Sequence, residues 1–139
     1  MKKNKIIWVI IPQRNSSSFT LNALKSVFDI NKDLKHLLFK TIVIDDHSND
    51  VECNHDLFDK KNNDVFLENF ANGVSSARNT ALEKLYDLSS SINNYVLFLD
   101  SDDFLTLDFF KYIDENEYLL NENDYISFSY TNSHHISGE

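Results

Sequence analysis

The sequence predicts one α/β domain built on a mainly parallel sheet, and three observations carry that expectation. Four runs of strand length are almost wholly apolar. The segments between them repeat their apolar residues at helical rather than alternating spacing. Strand and helix alternate along the chain, which favours parallel pairing through right-handed crossovers. With 139 residues, 42% hydrophobic and 13% aromatic, the chain holds enough apolar mass for one core and too much for a disordered polymer.

The first strand is expected at Ile6-Ile7-Trp8-Val9-Ile10-Ile11, uniformly apolar and rich in β-branched residues, as suits a strand covered on both faces. The basic start before it resembles a signal peptide. Its apolar run is too short, however, and Pro12-Gln13-Arg14-Asn15 ends it without a cleavage site. Leu21, Leu24, Val27 and Phe28 then mark a helix, with Ser18 or Thr20 as its expected N-cap. Residues 39–44 form the second strand, part of 51–61 a helix, and 64–68 a shorter third strand. Ala77, Ala81, Leu82 and Leu85 share one face of the next helix, with Ser75 or Ser76 as cap. Residues 95–99 make the fourth strand. Leu107, Phe110, Tyr112 and Ile113 mark another helix, and 125–130 a further strand.

The domain is expected to span 1–130. The polar tail 131–139 is either frayed or the point where a longer parent chain was cut. Only two glycines and one proline occur, so asparagine and serine carry most turns, as at Asn62-Asn63 and Asn93-Asn94.

The charge balance excludes one large class of function. Thirteen basic against 22 acidic residues leave a net charge of -9, and non-specific nucleic-acid binding needs a basic face to displace phosphate counterions. Cys53 is the sole cysteine, so no intrachain disulfide forms and a reducing compartment is expected. No run approaches the roughly 20 apolar residues of a membrane helix. A cytoplasmic location is expected, peripheral to the inner face of the membrane if the substrate lies there.

Three strand ends carry the chemistry. The first ends in Pro12-Gln13-Arg14-Asn15, the second in Asp45-Asp46-His47-Ser48, and the fourth in Asp100-Ser101-Asp102-Asp103. In an open parallel sheet, ligands bind beyond the carboxyl ends of the strands. Three carboxylates within four residues at the end of an apolar strand call for a neutralising cation. Hard oxygen ligands suit Mg²⁺ or Mn²⁺ shared with a diphosphate. If the strand persists, Asp100 and Asp102 point the same way. The plainer alternative is a helix N-cap, which explains one aspartate but not three. Asp45 and Asp46 suit hydrogen bonds from a base N–H or ribose hydroxyls, or Asp46 and Ser48 cap a helix. Arg78 falls in a first helical turn, where the helix dipole disfavours a cation, so it is expected to answer to an anion or a base carbonyl. The five histidines are dispersed or lie in the tail, and Cys53 has no paired histidine; neither suggests a metal centre or a thiol nucleophile.

Taken in order, residues 7–15, Ile42-Val43-Ile44-Asp45-Asp46-His47-Ser48-Asn49-Asp50, 72–79 and 95–105 resemble the family 2 glycosyltransferases of the GT-A fold, specifically their N-terminal, donor-binding half. The resemblance implies a Rossmann-like three-layer sandwich, truncated after the metal-motif region. It also implies a nucleotide-diphosphate sugar donor, usually a UDP-sugar, with Mn²⁺ or Mg²⁺ as cofactor and a glycan or lipid-linked acceptor. By position, Pro12 and Arg14 lie along the base, Asp46 pairs with it and Asp45 supports that loop. Arg78 sits near the base or phosphates, Asp100 approaches the ribose, and Asp102 holds the metal. Two positions depart from the family: Arg14 stands where tyrosine is common, and His47 where glycine is frequent.

The family's catalytic base comes from an acceptor half that follows the metal motif. Only 36 residues follow Asp103 here, and Glu115, Glu117 and Glu122 fall inside or just after a helix. The base is therefore expected to lie outside this chain, and the apolar face of a missing half to attract a protein partner. Two other classes compete. A phospho-acceptor receiver domain reads Asp45-Asp46 and Asp100 as an acidic pocket, but a full strand–helix unit precedes the pair and no lysine ends the 125–130 run. A haloacid-dehalogenase-type phosphatase reads Asp100 and Asp102 as nucleophile and acid, but Phe104 stands where threonine or valine belongs. A non-catalytic domain that only binds the donor is the closer alternative.

Overall fold

The computed structural model describes residues 5–49, 65–88, 93–122 and 126–127. Its elements in chain order are β1 (Lys5–Gln13), α1 (Ser17–Ile30), β2 (Leu37–Asp45), β3 (Val65–Glu68), α2 (Val74–Leu88), β4 (Asn94–Phe98), α3 (Leu107–Glu115) and α4 (Leu119–Glu122). The four strands form one sheet in the order β3-β2-β1-β4, and every pairing is parallel.

The uninterrupted apolar character of β1 follows from cover on both faces. Ile7, Val9 and Ile11 join Phe39 and Val43 of β2 against Ala23, Leu24, Val27 and Ile30 of α1 and Phe110 and Ile113 of α3. Trp8 and Ile10 turn the other way and join Ile42 and Ile44 against Ala77, Ala81 and Leu85 of α2. The period-two alternation of strand side chains thus builds two cores from one apolar run. The steps β1 to β2 and β3 to β4 cross the sheet in opposite directions, so crossovers of one hand must put α1 and α2 on opposite faces. They do.

Polar groups hold the framework at the amino edge of the sheet. Asn31 donates to the carbonyl of Phe39 at 2.8 Å and accepts its N–H at 2.9 Å. It stands in for a strand there, since β3 pairs with β2 only from Ile42 onward. The carboxylate of Asp114, buried at the end of α3, accepts the backbone N–H groups of Lys35, His36 and Leu37 at 2.9 Å each. Lys5 at the start of β1 pairs with Glu117.

Two helix starts differ from expectation, and a third excludes the plainer reading of the acidic cluster. Helix α1 begins at Ser17 after Ser16, which makes no side-chain cap bond; Thr20 lies inside it and bonds Gln13 and the Ser16 carbonyl instead. Helix α2 starts at Val74 directly after Gly73, so Ser75 and Ser76 fall within its first turn. Helix α3 is capped by Thr106, whose hydroxyl accepts from the Phe109 N–H at 3.1 Å, so no aspartate of the acidic cluster caps it. The helix expected in 51–61 and the tail 131–139 lie outside the described residues. Of the expected strand at 125–130 only Ile126 and Ser127 are described, and neither is in a strand. No helix among the described residues is long and apolar enough to cross a membrane.

Candidate functional site

The register aligns Gln13 with Asp45, so β1 and β2 end level and their polar turns share one edge. From β1 the chain moves outward through β2 to β3, then returns to place β4 on the other side of β1. The order therefore reverses between β1 and β4, the position where open α/β sheets bind ligands. Pro12 marks this point. Even-numbered residues of β1 direct their backbone toward β4, as the Ile6 N–H to Asn93 and Leu99 N–H to Ile10 bonds show. The N–H that proline lacks would face the side where β4 has already left the ladder, so nothing is lost.

Strand alternation does not align Asp100 with Asp102, because β4 ends at Phe98. A reverse turn brings the cluster together instead: the Asp103 N–H donates to the Asp100 carbonyl at 3.0 Å. One carboxylate oxygen each of Asp100, Asp102 and Asp103 then lies within 4.8 Å of the others, and all three side chains are exposed. Partial burial, followed by the charges of Asp102 and Asp100, pushes the Asp103 carboxyl above its ordinary range. The turn is tied to the end of β1 by a 2.8 Å hydrogen bond between the Ser101 and Ser16 hydroxyls.

Arg78 reaches the cluster from the second turn of α2 rather than the expected first, because the helix already starts at Val74. Its Nη2 lies 3.4 Å from Asp100 Oδ1, its guanidinium stands over the Phe98 ring at 5.4 Å, and its Nε is buried without a hydrogen-bond partner.

The second strand end forms a separate, tightly bonded loop. Asp45 accepts from Gln13 Nε2 at 3.1 Å and from the Ser48 N–H at 3.2 Å. Thr20 in turn donates to Gln13 Oε1 at 2.7 Å. Asp46, also buried, accepts from Asn69 Nδ2 at 3.0 Å and from the Gly73 N–H through both oxygens. Asn15 links the first two strand ends, its N–H donating to Ser48 Oγ at 2.8 Å and its side chain accepting the Asn49 N–H at 2.7 Å. Asn15 and His47 adopt left-handed backbone with φ of 50° and 57°, a conformation asparagine tolerates and glycine prefers. His47 offsets its strain through a 2.7 Å bond between Nε2 and the Ala71 carbonyl.

The structure thus gathers Asp100, Asp102 and Arg78 on one side, and Asp45 and Asp46 on the other, with Pro12 buried at the end of β1 between them and Arg14 exposed just beyond it. Sequence reasoning counted Asp103 in the cluster but gave it no role of its own. It also missed Asn15, Ser16, Asn69 and Ser101 as connectors. Gly73, one of only two glycines, was the visible signal for the turn that Asp46 holds.

The model of the family described as Glycosyl transferase family 2 matches residues 8–120, which contain every one of these groups. The chain belongs to glycosyl transferase family 2. Among solved structures it is similar to S. aureus TarS 1-349, with 25% sequence identity and a TM-score of 0.51 over 84% of this chain. The match covers 32% of the TarS chain, so this sequence spans about a third of that neighbour. No curated protein matches. The parallel sheet with helices on both faces is the Rossmann-like GT-A arrangement, and family membership sets aside the phospho-acceptor and phosphatase readings. Of the three glutamates of this family 2 chain, Glu115 ends α3 and Glu122 ends α4, and Glu117 pairs with Lys5 at the start of β1, the opposite end of the strands from the acidic cluster.

Proposed function

We infer that this domain, spanning 1–130, binds a metal–nucleotide-diphosphate sugar across the β1/β4 crevice and serves transfer of the sugar to a hydroxyl acceptor, a glycan or a lipid-linked one. The observation that carries this reading is the placement of three clustered carboxylates and a guanidinium at the point where strand order reverses.

The donor set fits a hard divalent ion. Three oxygen ligands converge from one turn, and Asp103 is held above its ordinary range by partial burial and then by the charges of Asp102 and Asp100, which a cation would neutralise. Asp102 would hold Mn²⁺ or Mg²⁺, with Asp100 and Asp103 beside it. When bound, the ion supplies Lewis-acid neutralisation of the charge that builds on the departing nucleotide. The protein's own groups do the rest. Asp100 meets the ribose, and Arg78 turns its donors to the phosphates. Pro12 and the exposed Arg14 lie along the base, where a guanidinium plane replaces the aromatic ring common in the family. Asp45 holds the base loop through Gln13 and Ser48. Asp46 spends two acceptor sites on Oδ1 and one on Oδ2, which leaves a site for a base N–H. A uridine base is the favoured occupant. The lone cysteine fits a cytoplasmic location, with peripheral contact at the inner face of the membrane where the acceptor is lipid-linked.

Calorimetric titration with UDP and with GDP, each with and without Mn²⁺, tests this reading. Metal-dependent binding of UDP that disappears in Asp102→Ala is the expected result; absence of binding to any nucleoside diphosphate overturns it. A second reading, donor binding without transfer, is favoured by the place of Glu117, which pairs with Lys5 at the end of the sheet opposite the crevice. Donor hydrolysis or transfer by this chain alone would refute it.

A further inference from the structure

We propose that Arg78 is the internal counter-ion of the acidic cluster, resting on Asp100 until a metal-bound diphosphate draws it away, so that metal binding becomes dependent on the nucleotide. The proposal rests on the donor-site reading above and adds to it a coupling between two ligands.

The geometry of Arg78 is that of a group engaged but not committed. Its contact to Asp100 is 3.4 Å, longer than a well-formed charge-assisted bond, and Asp100 is 62% exposed. Such a contact is weak and readily exchanged. Its guanidinium rests on the Phe98 ring at 5.4 Å, which holds the plane at the crevice without using a donor. Its Nε is buried and unpartnered, so the guanidinium has already lost water there and has gained no acceptor in return. The neighbouring Ala77 and Ala81 are fully buried against the sheet, which fixes the helical turn that carries it.

The sign of the effect differs for the two ligands. A fixed positive charge beside Asp100 opposes a free dication entering the cluster. The same charge attracts a diphosphate, whose oxygens offer the acceptors that Nε lacks and that Nη2 finds only at long range. Arg78 therefore weakens binding of the metal alone and strengthens binding of metal with nucleotide.

Calorimetric titration of the 139-residue chain with Mn²⁺ alone, and with UDP at saturating Mn²⁺, reads both signs. Arg78→Gln is expected to tighten Mn²⁺ alone by about threefold, the scale of an exposed charge interaction. It is expected to weaken UDP in the presence of Mn²⁺ by about tenfold, the scale of a lost charge-assisted hydrogen bond. Arg78→Lys keeps the charge and loses the fork; it should retain wild-type affinity for Mn²⁺ alone while still losing affinity for UDP, and Arg78→Met, also uncharged, takes the place of the glutamine variant if that does not fold. Variants that leave Mn²⁺ affinity unchanged on loss of the charge, or that move both affinities in the same direction, overturn the counter-ion role alone. Wild-type protein that binds neither UDP nor GDP with Mn²⁺ overturns the donor-site reading, and this role with it.

Discussion

The two carboxylate oxygens of Asp46 lie 3.2 and 3.1 Å from the backbone nitrogen of Gly73, so the end of β2 holds the turn that starts α2. Asn69 Nδ2 completes the arrangement at 3.0 Å. Asp46→Ala strips acceptors from two donors in a buried place, which should cost about 2 kcal/mol of stability. Urea denaturation followed through Trp8, the single tryptophan, would measure it. A variant as stable as wild type would show that water replaces the carboxylate there at no cost.

Gly73 tests the same turn from the other side. Its φ is +95°, while a Cβ built on it meets nothing within 4 Å. Gly73→Ala should therefore cost only the strain of a left-handed alanine, about 1–2 kcal/mol. A loss well beyond that range in the same denaturation assay would mean the turn cannot accept a side chain for a reason other than backbone conformation.

Much of this architecture was legible because it obeys local rules. The strand positions follow from runs such as Ile6 to Ile11, whose apolar character at every residue demands cover on both faces. The α2 face was readable from Ala77, Ala81 and Leu85, all buried, whereas Leu82, expected on the same face, is exposed. Helix starts were less legible. Ser75 and Ser76 look like caps, but Gly73 sets the turn one residue before the helix, and Ser76 instead donates to Asn69 at 2.9 Å. The acidic cluster was legible as a motif but not as a geometry. Period-two reasoning needs a strand, and the chain turns after Phe98, so the juxtaposition of Asp103 with Asp100 depends on a backbone hydrogen bond that no spacing announces. The long-range links were invisible for a similar reason. Nothing local in sequence relates Ser16 to Ser101, or Asp114 to residues 35–37; the sheet order brings them together.

Phe39 is the aromatic centre of the α1/α3 side. It is 1% exposed, and its ring meets Phe110 edge-on at 4.9 Å and Phe109 at 6.5 Å. Phe39→Ala removes a ring from a closed environment and should cost about 3–5 kcal/mol, enough to approach unfolding for a domain of ordinary stability. Phe39→Leu, which keeps most of the volume, should cost less than half as much. Comparison of their urea midpoints checks the order, and equal midpoints would contradict close packing of the ring.

Asp114 gives the domain a defined response to acid. Burial alone would raise its carboxyl, but hydrogen bonds from the Lys35, His36 and Leu37 N–H groups and the nearby His36 charge outweigh that and hold it below the ordinary carboxylate range. A folded-state value below the unfolded one means that the carboxylate stabilises the fold above the unfolded value, about 3.9. The contribution then fades as pH falls through the lowered folded value. Asp114→Asn should remove this dependence. It should also lower stability at pH 7 by about 2–3 kcal/mol, since the amide cannot accept three N–H groups with its single oxygen and turns its own N–H₂ toward a donor. Melting temperatures of the two proteins should therefore converge as pH drops below about 4. A gap that stays constant across that range would mean the three N–H groups bind the carboxyl equally well in its protonated form.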